Sequence, residues 1–233
     1  MPWASTCGRC HKKPHWRIVV IWLPHPPPLP VSADLEKGFG DSPQSCAQTI
    51  QAAAATRLAG GSIEDHTGEK SDPIYSFDLA VARIGAACVA RDALKTDFVL
   101  TARCENFLWE RPDLSDTIRR LQAFEAAGAD VLYAPGLHDL ETIKTVCRNV
   151  TKPVNVVMGM PGAVFDLTQL AEAGGKRVSV GSALPCLISA GASGTGASGT
   201  GASGAGRVCH RRAGNDRRWQ FSLWGSGLGI CQN

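Results

Sequence analysis

The sequence predicts an α/β fold built from βα units around a parallel sheet, and three observations carry that reading. From residue 29, short apolar runs alternate with longer amphipathic stretches. The ends of the runs recur every 23 to 39 residues, and polar caps and glycines punctuate the amphipathic stretches where helices begin and end. Strand, helix and strand repeated at that interval is the rhythm of right-handed βαβ connections. Six such units are countable, two short of the eight that close a (β/α)₈ barrel.

Taken in order, the predicted strands are Pro30 to Asp34, Ser62 to Glu64, Phe98 to Arg103, Val131 to Ala134, Val154 to Val157 and Arg177 to Val180. Helical patterns fill the gaps at Pro43 to Leu58, Asp78 to Arg91, Leu114 to Ala127, Leu140 to Asn149 and Asp166 to Ala173. Ser42, Asp113 and Asp139 stand where N-caps belong, and Pro43 occupies a first-turn position. Gly60, Gly128 and Gly174 stand where helices stop. Before this region, Trp16 to Leu23 offers one further strand and Pro24 to Pro30 favours extended, solvated backbone.

Charge and composition divide the 233-residue chain into three parts, 1–29, 30–184 and 185–233. Residues 31 to 184 carry 15 Lys and Arg against 20 Asp and Glu, whereas the two ends hold 9 basic residues and one acid. Such a sign change marks a boundary. Residues 191 to 206 are a Gly-Ala-Ser-Gly-Thr repeat with too little apolar surface to fold, and the Arg-rich stretch after it reads as a solvated tail rather than a nucleic-acid surface. Cys46, Cys88, Cys104 and Cys147 lack metal-like pairing and suit reduced thiols in a cytoplasmic protein. Ile18 to Leu23 is too short to span a membrane. Cys7-Gly-Arg-Cys-His11 has haem-attachment spacing, or zinc spacing with His15, but sits in an end without export features.

The chemistry concentrates at strand ends. Asp34 and Glu36 close the first apolar run, and residues two apart in a strand share a side. Two anions so placed repel unless a proton or cation lies between them, and hard divalent ions such as Mg²⁺ prefer such oxygens. Gly38 and Gly40 let the following loop bend and bring backbone toward a ligand. By the same alternation Glu64, Arg103 and Glu105 face the strand-end site, Cys104 faces the helices, and Asn155 points inward. Side chains at the carboxyl ends of adjacent barrel strands converge, which makes a carboxylate cluster with one cation beside it.

These residues carry a resemblance. Val31-Ser-Ala-Asp-Leu-Glu-Lys-Gly-Phe-Gly40, Gly61-Ser-Ile-Glu-Asp65, Asp72-Pro73, Leu100-Thr-Ala-Arg-Cys-Glu-Asn106, Gly128-Ala-Asp-Val-Leu-Tyr-Ala-Pro-Gly136, Lys152-Pro-Val-Asn155 and Val178-Ser-Val-Gly181 together resemble the isocitrate lyase and phosphoenolpyruvate mutase superfamily. Its carboxyvinyl-carboxyphosphonate phosphorylmutase-like branch is the most similar. The resemblance implies a TIM-type barrel enzyme, a lyase or mutase acting on a small 2-oxo or 2-hydroxy acid through an enolate, with Mg²⁺, or Mn²⁺ in its place, as cofactor. It implies metal binding by Asp34, Glu36 and Glu64, substrate-anion binding by Arg103, and substrate contacts near Gly38, Gly40 and Asn155.

Departures from the family pattern shape the expectation. The loop from Asp65 to Pro73 lacks the cysteine that isocitrate and methylisocitrate lyases share, and Ala134-Pro135-Gly136 stands where methylisocitrate lyases place a carboxylate. Both point away from that activity. His66, Glu69 and Lys70 are the candidates for acid or base. The family's first two βα units have no match, so weak or no turnover is expected, with a non-catalytic degenerate barrel or binding protein as the alternative. The family forms homo-oligomers by exchanging a C-terminal helix, a pattern that residues past Leu184 do not repeat.

Overall fold

The structure is a computed structural model that describes residues 30–158, 165–180 and the strand at 221–222. Seven strands run in one sheet: β1 (Ser32–Asp34), β2 (Gly60–Glu64), β3 (Val99–Arg103), β4 (Val131–Tyr133), β5 (Val154–Val157), β6 (Arg177–Ser179) and β7 (Phe221–Ser222). They pair in chain order and every pairing is parallel. One α-helix lies between each successive pair of the first six: α1 (Pro43–Ala55), α2 (Phe77–Asp92), α3 (Leu114–Ala126), α4 (Leu140–Arg148) and α5 (Leu167–Glu172). The sheet curls into a half-barrel, so the expected α/β architecture is present.

Alternation along the strands separates two environments. Ile63, Leu100, Ala102, Leu132, Val154, Val156 and Val178 are buried in one apolar core with Ile50, Ala53, Ile84, Leu121, Phe124, Ile143, Val146 and Leu170 of the helices. Burying each of the Val, Leu, Ile and Phe side chains among them stabilises the fold by roughly 1.5–3 kcal/mol. Most of the intervening residues are polar, among them Ser62, Glu64, Thr101, Arg103, Asn155 and Arg177. Register aligns Glu64 with Arg103, Arg103 with Tyr133, Tyr133 with Asn155, and Asn155 with Arg177. Paired residues in a parallel sheet share a face, so five strands contribute to one polar row on the side away from the core.

Local signals explain the helix boundaries. Ser42, Asp113 and Asp139 accept hydrogen bonds from the amides of Ser45, Asp116 and Thr142, and Asp166 forms a full capping box with Gln169. These bonds satisfy amides that have no partner within the first turn. Gly128 and Gly174 adopt positive φ just past α3 and α5, as helix stops do. Gly60 departs from expectation, because it opens β2 while α1 ends earlier at Ala55 with Thr56 as C-cap and Arg57 in the left-handed region. A Cβ on Gly60 would stand 2.5 Å from the Val99 carbonyl oxygen, so close strand approach, not a helix stop, demands glycine there.

β7 falls within the basic tail, where the sequence shows no period. The haem-like cysteine motif, the Trp16 to Leu23 strand, the Pro-rich segment up to residue 29 and the Gly-Ala-Ser repeat lie outside the described residues. Among those described, no helix is long and apolar enough to cross a membrane, and Cys46, Cys88, Cys104 and Cys147 are free thiols.

Candidate active site

The carboxyl ends of β1, β2 and β3 open into a cavity of about 530 Å³ lined by Asp34, Glu36, Lys37, Glu64, His66, Gly68, Arg103, Glu105, Leu108 and Trp109. All five charged residues expected at the strand ends meet there. Asp34 ends β1, and its carboxylate accepts hydrogen bonds from the Glu36 amide (3.0 Å), the Ser62 hydroxyl (3.3 Å) and Arg103 Nη1 (3.2 Å). Arg103 Nε lies 3.4 Å from Glu64 Oε2 and also binds Glu105 Oε1. The guanidinium rests 5.3 Å from the centre of the Tyr133 ring.

Glu36 reaches the cavity by a route different from the expected one. Strand geometry stops at Asp34, Leu35 turns into the core, and Glu36 takes φ +49 at the head of a turn. Its carbonyl accepts the Glu64 amide (3.0 Å), so this turn is tied to the end of β2. Gly38 and Gly40 follow but do not line the cavity. Gly38 has φ +79 and backs onto α1, where a Cβ would meet Cys46 Sγ at 3.0 Å, and its carbonyl accepts the Thr49 hydroxyl. Buried Arg83 gathers the carbonyls of Lys37, Gly40 and Asp41 from below. The glycines thus shape the loop behind the cavity. Asn155 sits deeper in the polar row, donates to the Ser179 hydroxyl (3.1 Å), and its Oδ1 has no hydrogen-bond partner among the described residues.

Sequence reasoning missed several contributors. A short 3₁₀ turn, Asn106–Trp109, brings Trp109 over the cavity, where its ring stacks on His66 with centroids 3.9 Å apart and its indole N–H donates to Glu105 (3.2 Å). Lys37 Nζ binds Asp41 and the Thr67 carbonyl, which joins the loop after β1 to the loop after β2. Asp65, facing away from the cavity by alternation, accepts the Glu105 amide (2.8 Å) and Arg120 Nη1 (3.2 Å). Alternation applied to the Glu64-Asp65 pair was the available signal for Asp65. Nothing in the local sequence marked Trp109.

Electrostatics follow burial. Glu64 is pushed up to about 8, first by burial and then by Glu105, Asp34 and Glu36, with Arg103 acting in the opposite direction. Burial opposes the charge on Arg103, but Glu105, Glu64 and Asp34 outweigh it and hold the guanidinium protonated. Burial, Lys37 and Arg103 push His66 down from its usual 6.5. In the native state Glu64 therefore holds a proton that the unfolded chain has already released, so stability falls as pH rises toward 8. His66 contributes the opposite slope, but only below about 6.5. With EDTA present, the Tm is expected to drop by several degrees between about pH 7 and pH 8.5, and Glu64→Gln is expected to flatten that slope. A wild-type Tm that rises over this window would contradict the assignment.

Among the described residues, no three His, Cys, Asp or Glu side chains are gathered closely enough to hold a metal ion. The donor chemistry nonetheless fits Mg²⁺, which needs only one or two carboxylates and takes its other oxygens from water and substrate. Asp34, Glu36 and Glu64 offer such oxygens around one cavity.

The sequence profile described as phosphoenolpyruvate phosphomutase matches residues 23–195. The chain belongs to the phosphoenolpyruvate phosphomutase family. This member is 31% identical over 161 residues to an oxaloacetate decarboxylase of Paraburkholderia xenovorans, covering 66% of this chain and 51% of that one. It is 32% identical over 132 residues to 2-methylisocitrate lyase of Escherichia coli, covering 54% and 43%. Among solved structures it resembles a Burkholderia cenocepacia J2315 protein assigned to the lyase/mutase class, with 55% identity, a TM-score of 0.68 and coverage of 71% and 60%. The chain spans about half the length of the curated relatives it matches. This phosphoenolpyruvate phosphomutase family member thus sits in the isocitrate lyase and phosphoenolpyruvate mutase superfamily, in agreement with the resemblance of its strand-end motifs.

Proposed function

We propose that this protein is a Mg²⁺-dependent lyase or mutase-type enzyme acting on a small 2-oxo or 2-hydroxy acid through an enolate, with Mn²⁺ able to replace Mg²⁺. The observation that carries the reading is the meeting of Asp34, Glu36 and Glu64 with Arg103 at one cavity. Relatives named as an oxaloacetate decarboxylase and a 2-methylisocitrate lyase support the substrate class. Asp34 and Glu64, with Glu36 at the rim, would hold the ion, which when bound neutralises negative charge developing on an enolate oxygen.

The chain's own residues supply the remaining functions. Arg103 presents a planar fork that matches a carboxylate or phosphonate, and Glu105 and Tyr133 keep it beside the cavity. The stacked His66 and Trp109 rings wall one side of the cavity. Lys37 ties the loop carrying His66 to the loop carrying Glu36, which keeps both walls in register.

The test is an assay of the full chain against oxaloacetate, phosphonopyruvate and alkylmalates. Turnover of at least one is expected with Mg²⁺, lost in EDTA and restored by added Mg²⁺ or Mn²⁺. A cooperatively folded chain that turns over none of them with either ion would overturn the reading.

A further inference from the structure

Arg103 sits against one oxygen of each of two carboxylates that would hold the cation. Its Nη1 is 3.2 Å from Asp34 Oδ2 and its Nε is 3.4 Å from Glu64 Oε2. A guanidinium and a divalent ion cannot share those oxygens closely, because like charges at a few ångströms repel strongly away from bulk water. In this arrangement Nη1 donates to Asp34 and Nε to Glu105, so those two donors are occupied before any substrate anion arrives.

Glu105 offers Arg103 a separate hold. Its Oε1 binds Arg103 Nε, its Oε2 accepts the Trp109 indole N–H at 3.2 Å, and its amide donates to Asp65 Oδ1 at 2.8 Å. Asp65 is fixed in turn by Arg120. Glu105 is thus held at its carboxylate by the Trp109 indole and at its backbone amide by Asp65, independently of Asp34 and Glu64.

Resting on the reading that Asp34 and Glu64 are cation ligands, we propose that Arg103 is the built-in counter-cation of those carboxylates. A divalent ion displaces it, and Arg103, pivoting on Glu105, turns its fork to the substrate anion. The cation then binds before the anion, and each tightens the other, since coupling between two sites is reciprocal. Glu105 is a positioning residue in this scheme and not a metal ligand.

The experiment is Mn²⁺ binding to the full chain, followed by the electron paramagnetic resonance signal of free Mn²⁺, with oxalate as the anion probe. Without oxalate, Arg103→Met is expected to bind Mn²⁺ about tenfold more tightly than wild type, and oxalate is expected to tighten Mn²⁺ binding in wild type only. A variant that binds Mn²⁺ no more tightly than wild type overturns the counter-cation role and leaves the cation site standing. Absence of Mn²⁺ binding in both proteins overturns the cation reading and this inference together.

Arg103→Met leaves buried carboxylates without their cation, so a second measurement uses the unmodified chain. Arginine Nε–Hε resonances are followed during a Mg²⁺ titration, with Arg103 assigned by the peak lost in Arg103→Lys. That peak is expected to move and saturate with Mg²⁺ binding. A peak that stays fixed while Mg²⁺ binds overturns the proposal.

Discussion

Glu64→Gln is expected to lower kcat/KM by roughly 10²-fold, the scale seen when a charged group supporting a metal or a developing anion is removed. The substitution preserves shape and removes the carboxyl group that must give up its proton to hold a cation. Glu64 ends β2 with its backbone amide held by Glu36, its carboxylate 3.4 Å from Arg103 Nε and 3.7 Å from His66 Nδ1. Glutamine can occupy the same volume, so the fold should persist, and the loss should fall on kcat and on the concentration of Mg²⁺ required. Steady-state kinetics across a Mg²⁺ series, with melting curves as the folding control, would check it. Turnover within a few-fold of wild type, at unchanged Mg²⁺ requirement, would remove Glu64 from the site.

Arg120→Met is expected to destabilise the fold by about 3–5 kcal/mol, the cost of leaving a buried charge without its partner. Arg120 is 7% exposed and Asp65 only 2%. Arg120 binds Asp65, Asp116 and the Tyr75 carbonyl, linking α3 to the loop after β2. Burial already raises Asp65 to about 6 even with Arg120 beside it. Asp65→Asn should cost less, because Arg120 retains Asp116 and Tyr75. Combining the two should cost less than their sum, since the charge that was stranded is gone. Urea unfolding of the three variants measures this, and strict additivity would mean that Asp65 and Arg120 do not depend on each other.

Much of the fold is legible from residue order because its causes are local. Helix starts at Ser42, Asp113 and Asp139 depend on a side chain reaching an amide three residues on. Strand faces depend on a period of two, which places Glu64 and Arg103 toward one space. Cys104 and Glu105 lie past the end of β3, where Cys104 packs in the core and Glu105 reaches the cavity from the head of the 3₁₀ turn. Gly60 was misread because a glycine before a strand looks the same whether it ends a helix or makes room for the neighbouring strand. Glu36 was placed at the right cavity by the wrong geometry, since β1 ends two residues earlier and a left-handed turn carries the side chain there. Gly38 and Gly40 serve the loop beneath, a role set by Cys46 and Arg83, which lie further along the chain.

The local order of residues was enough to establish the βα rhythm, the helix caps and the acids at the strand tips, because each arises among residues a few positions apart. The partners of those acids required the folded chain. Asp34 and Arg103 are 69 positions apart, and His66 stacks on Trp109 from a different loop. Which charges pair, and which are pushed from their usual pKa, depends on separations and burial that arise only when the sheet curls and water leaves the space between strand ends.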